Sequence, residues 1–188
     1  MKDDLIFVDT FGQMEVILDR SHINYQYSKY LNNPESALER EIIKNYEFFS
    51  DSKIAFIIST VLDLCILLDV KGNFSLNKLF GILKNSKQAD IFSADIVVWE
   101  AEILAQQTTI RKLFSIRDKH YAHLDKKRGD IMLSIPTYDE FQSLFKVICQ
   151  ILKKIHLVVY NADMDYGVSF LGGLRSILGF IAEKIENP

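Results

Sequence analysis

The chain has 188 residues, 48% of them hydrophobic and 25% charged, with a net charge of −3. That length and apolar content suit one domain with one sizeable core and exclude an intrinsically disordered chain. The mild acidity argues against a broad nucleic-acid-binding surface, and two cysteines set in apolar helical patterns, Cys65 and Cys149, exclude a disulfide scaffold and read as small core residues.

Met1-Lys2-Asp3-Asp4 is acidic and runs directly into an amphipathic pattern, so no secretory signal is expected. Phe7, Phe11, Met14, Leu18 and Tyr25 form a first helical stripe ending near Asn32-Asn33-Pro34, where Asn33 can cap and Pro34 can open a second helix reaching about Phe49. Ile54, Ile57, Ile58, Val61, Cys65 and Leu68 supply a third, very apolar helix that stops at the turn signal Lys71-Gly72-Asn73. Asp63 and Asp69 interrupt it, so it falls short of a membrane span, and a cytoplasmic protein without a membrane partner is expected.

Ser75 caps a short helix carrying Leu76, Leu79, Phe80 and Leu83, and Lys84 to Asp90 reads as a loop. Ser93 can cap a long helix running through Lys126-Lys127-Arg128 to Gly129, since cations complement the carbonyl end of a helix and glycine suits the position beyond it. Ile131 to Ile135 is the one segment with strand character and is expected to be an extended loop. Thr137 followed by Glu140 is a capping box, opening a helix striped by Phe141, Leu144, Phe145, Ile148, Leu152 and Ile155. A last helix spans about 171–184, and its Gly172-Gly173 and Gly179 mark a loop or a kink or, less ordinarily, allow close helix contact in a dimer. With no repeat or domain boundary, the expectation is an all-α single domain over 1–188.

One residue breaks the pattern of the long helix. Trp99, Ile103, Gln107, Ile110 and Phe114 step along one face, and the next seats on it are Arg117 and Tyr121. A guanidinium on such a seam needs either an acid such as Asp63 or Asp69 to neutralise it or a cleft that admits an anion. Between Arg111 and Arg128 seven cations face two carboxylates, a local excess of five, so with the chain at −3 the remainder carries −8. Such an island suits a local phosphate site, although Lys126, Lys127 and Arg128 also serve as helix-end cations. His123 lies one turn from Lys119 and from Lys127, which disfavour its charged form, while the helix end favours it. On either balance it can exchange a proton near neutrality. His120, His123 and Asp125 could share a metal, but no matching ligand cluster stands elsewhere, so neither a metal nor another cofactor is expected. No glycine-rich phosphate loop or nucleophile elbow is present, and His22 and His156 read as core or rim residues.

Arg117-Asp118, four further residues and then His123 resemble the signature of the HEPN superfamily. The helix end Leu68-Asp69, Phe74-Ser75-Leu76, the run from Arg117 to Asp125 and the helix start Thr137-Tyr138-Asp139-Glu140-Phe141 are similar, in that order, to the abortive-infection AbiU-type branch. The likeness covers roughly residues 5 to 160. It implies a HEPN-like helical bundle that forms a homodimer across a shared cleft. It implies a metal-independent endoribonuclease in phage defence or acting as a toxin, with RNA as substrate and an antitoxin or defence-system protein as a possible partner. In that scheme His123 is the acid/base, Arg117 stabilises charge on phosphorus and Asp118 orients either Arg117 or the motif of the second protomer. Lys119, His120, Lys126 and Lys127 would hold the RNA. In a straight helix Arg117 and His123 point about 120° apart, so a bend or a second protomer has to complete the site. Members modified by a nucleotidyltransferase antitoxin carry tyrosine two residues after the histidine, where this chain has Asp125, which argues against that modification. The alternative within the family is a non-catalytic module that binds a partner protein, nucleotide or RNA.

Overall fold

In the computed structural model, residues 2–122, 135–164, 166 and 171–186 are described. They form eight α-helices and no strand. These are α1 (Lys2–Asn32), α2 (Ala37–Asn45), α3 (Glu47–Leu68), α4 (Leu76–Lys84), α5 (Ala89–Ala105), α6 (Gln107–Ala122), α7 (Tyr138–Tyr160) and α8 (Gly172–Glu186). The all-α architecture is as expected, and the segment 131–135 with strand character lies outside the described residues except for Ile135.

The chain divides into two compact units, one of residues 1–19 and 61–166 and one of residues 20–60 and 167–188. The first carries the motif. Its most buried element is α7, where Phe141, Leu144, Phe145, Ile148, Ile151, Leu152 and Ile155 all point inward. Thr137 and Glu140 start α7 as a reciprocal cap: the Glu140 N–H donates to the Thr137 hydroxyl (3.2 Å) and the Thr137 N–H donates to the Glu140 carboxylate (2.7 Å). α5 and α6 pack against this helix and against each other, and α4 packs on α5, where Phe80 stacks on Trp99 at 5.8 Å. Ser75 caps α4 as the sequence indicates, with Leu76, Leu79, Phe80 and Leu83 buried. At the turn after α3 the Gly72 N–H donates to the Asp69 carbonyl (3.0 Å), and a Cβ on Gly72 would crowd Asp69 at 3.3 Å.

In the second unit, the second half of α1 and the part of α3 up to Thr60 run antiparallel along a seam of small polar residues. Ser21 and Thr60 exchange hydroxyl-to-carbonyl bonds, Asn24 donates to Ser59 (2.9 Å) and Ser28 donates to the Lys53 carbonyl (3.2 Å). α2 and α8 meet beside it over Tyr30, Leu31, Ile42, Phe49 and Leu178. No close approach within the described residues calls for the glycines of α8, since a Cβ at Gly172, Gly173 or Gly179 would meet nothing within 4 Å.

Several boundaries and one burial differ from expectation. α2 starts at Ser36, where a capping box with Glu39 outcompetes Pro34, and ends at Asn45, after which α3 begins at Glu47. Ile54 of α3 is exposed rather than buried. The long helix is two helices. α5 starts after Gln88 with no side-chain cap, while Ser93 sits inside it and donates to the Asp90 carbonyl. Gln106 then interrupts the run, its N–H shared between the Ile103 and Leu104 carbonyls, before α6 begins.

Candidate functional site

The interruption at Gln106 sets where Arg117 lies. Because α6 starts afresh, its buried line is Thr109, Ile110, Leu113 and Ile116 rather than a continuation of the α5 stripe through Phe114. Arg117 follows this line by one residue, which moves it from the expected seam to the rim, with 31% of its side chain exposed. Its aliphatic stem can cover the core edge while the head reaches solvent.

The guanidinium lies over the Phe114 ring, 4.6 Å from the centroid. Its Nε and Nη2 groups both donate to Asp118 Oδ1, at 2.9 and 2.8 Å. Asp118 is itself largely exposed, so this is a surface pair between neighbours and not the interior pairing with Asp63 or Asp69 that the sequence left open. Asp69 and Cys65, at the end of α3, stand within electrostatic reach of the same head group. Partial burial pulls Arg117 downward, but the hydrogen bond and charge of Asp118 outweigh it and hold the group above its ordinary value. Arg117 is a permanent cation. Burial pushes the Cys65 thiol up to about 12, so it remains a neutral core residue and not a nucleophile. Cys149 is only half-buried.

A second tie fastens this helix to its neighbour. Lys112 of α6 reaches Glu140 of α7 at 2.5 Å, and Glu140 still closes the α7 cap. The Lys112 hydrogen bond, then the Thr137 N–H, hold the Glu140 carboxyl below its ordinary value.

Of the expected site residues, Arg117 and Asp118 are brought into direct contact, and Lys119 is exposed on the next position of α6. His120 is helical. His123, Lys126 and Lys127 lie outside the described residues. Among the described residues no group of three histidines, cysteines or carboxylates is placed to hold a metal ion. His156 is a rim residue, as expected: its Nδ1 lies 2.9 Å from the Ala162 carbonyl and its ring 4.9 Å from that of Tyr160. The part played by Asp69 was open to sequence reading only as one of two acids, because its approach to Arg117 depends on how α3 and α6 pack.

The family described as AbiU2, of the HEPN type, matches residues 12–170 of the chain. No curated protein and no solved structure gives a significant match. No helix among the described residues is long and apolar enough to cross a membrane.

Proposed function

The chain belongs to the AbiU2 family of HEPN proteins, and from that premise we propose that it is a metal-independent endoribonuclease of phage defence or toxin type. Residues 1–188 act in this reading as one HEPN-like domain in the cytoplasm, working as a homodimer on RNA, with an antitoxin or defence-system protein as regulator. The observation that carries the reading is the state of Arg117. It is a cation held at the rim over Phe114 and tied only to an exposed neighbour among the described residues. Two of its five N–H donors are directed at Asp118, and a surface pair of this kind contributes little, so a phosphate can compete for the guanidinium.

In the proposed reaction His123 takes the proton of a ribose 2′-hydroxyl as its oxygen attacks the adjacent phosphorus. The bond from phosphorus to the 5′-oxygen breaks, that oxygen leaves with a proton returned by histidine, and a 2′,3′-cyclic phosphate remains. Arg117 meets the charge that builds on the non-bridging oxygens, which a fixed bidentate donor stabilises better than water does. Asp118 holds the guanidinium at one angle, a positioning role supported by its two hydrogen bonds to it. Lys119, His120, Lys126 and Lys127 supply the positive surface along the RNA backbone.

The test is incubation of the purified chain with a mixed RNA pool at low salt, in EDTA and with added divalent ions. The expected result is cleavage in EDTA that leaves cyclic phosphate ends. RNA left intact under both conditions rejects the enzyme reading. Retained RNA binding without cleavage would favour the binding-module alternative.

A further inference from the structure

α5 is hydrophobic around most of its circumference, but the fold covers one side of it. Phe92, Ile96 and Trp99 turn inward. On the opposite side Ile91, Val97, Val98 and Leu104 are 57%, 66%, 56% and 67% exposed. Ala94 and Ala101, between them, are exposed as well. At 100° per residue these six positions span roughly 140° of arc, an apolar band interrupted in the first turn, where the exposed Asp90 falls inside the same arc. Glu100 falls on one margin of that band, and Asp95 and Glu102 fall on the other. α5 contains four acids and no lysine or arginine. The cation seen reaching it is Lys84 of α4, 2.6 Å from Glu100.

An exposed apolar surface of this extent on one helix marks a place of interaction. The margins then decide the occupant. A second copy of this helix would set carboxylates against carboxylates, and an anionic membrane surface would be repelled in the same way. The two alanines leave room in the middle of the band for the larger side chains of another helix. We propose that the outer face of α5 is a docking surface for an amphipathic helix of a partner protein whose apolar stripe is flanked by lysine or arginine. This surface is separate from Arg117 and does not rest on the ribonuclease reading.

The proposal is tested with two fluorescein-labelled helical peptides about five turns long that share one leucine and alanine stripe, flanked by lysines in one and by glutamates in the other. Binding to the full chain is followed by fluorescence anisotropy. The lysine peptide is expected to bind at least about tenfold more tightly than the glutamate peptide, and Val98→Asp or Ala101→Asp is expected to weaken it by about tenfold or more. Both substituted positions are exposed, so the thermal melt should stay that of the wild type. The double variant Asp95→Lys, Glu102→Lys should narrow or reverse the preference between the peptides. Absence of binding, equal binding of the two peptides, or lysine-peptide binding that survives both Val98→Asp and Ala101→Asp would overturn the proposal. A dimer of the chain that dissociates with Val98→Asp in sedimentation would also overturn it, by making a second copy the occupant.

Discussion

Lys112 and Arg117 stand on the same helix, and each is paired with a carboxylate, yet the two pairs do different work. Lys112 crosses to Glu140 of α7, whose carboxylate also caps that helix, so this pair links two elements and its acid is partly shielded. Arg117 turns to its own neighbour Asp118, which is two-thirds exposed, so its pair links nothing that the helix has not already joined. A cation whose partner belongs to another element serves the fold. A cation oriented by a solvated neighbour at the edge of the core is available to something outside the chain, and that contrast is what the following substitutions probe.

The largest effect is expected at the functional end. His123→Ala should reduce RNA cleavage about a thousandfold, the scale of a lost general acid/base, with RNA binding measured by filter retention largely kept. Loss of binding and cleavage together would argue for a structural histidine instead. Asp118→Asn should lower the turnover rate about tenfold with little change in KM, because the guanidinium remains but is less firmly aimed. Unchanged turnover would remove Asp118 from the positioning role.

At the structural end, Thr137→Ala removes one half of the α7 cap and should cost about 1 kcal/mol, seen as a fall of about 2–4 °C in the thermal midpoint. The smallest effect concerns pH. Glu140 is held below its ordinary value of 4.5 in the folded chain, so the stability it adds is present above the unfolded value and is lost as pH falls through the lower folded one. In urea titrations the gap between the wild type and Glu140→Gln should therefore be widest near neutrality and close below about pH 4.5. A gap that stays constant across that range would mean the Lys112 pair adds nothing.

The parts of the fold legible in the sequence were those written in local chemistry. Ser75 and Thr137 announced their helices because cap and apolar stripe agree, and α7 buries all six residues of its expected stripe, with Ile151 in addition. Ser36 and Glu39 carry the same signal, but Asn33-Pro34 offered a competing start a few residues earlier. The start of α5 has no side-chain cap and so leaves no mark in the sequence. Gln106 hides better still, since no glycine or proline accompanies it and the apolar period runs on across it. That one hidden break carried the expected seam past its true end and placed Arg117 on the interior instead of at the rim. The resemblance named Asp118 as a group that orients Arg117, and the structure shows that contact, whereas the chain pattern alone offered Asp63 and Asp69, whose distance from Arg117 is set by tertiary packing.

The most direct test of the account is Arg117→Met, followed at once for cleavage of a labelled RNA in EDTA and for thermal stability. If the guanidinium exists to meet phosphate, cleavage falls by about a hundredfold or more while the thermal midpoint holds, since methionine can cover the same core edge beside Phe114. Cleavage that persists in the Arg117→Met chain, or a steep loss of stability with it, would contradict that claim.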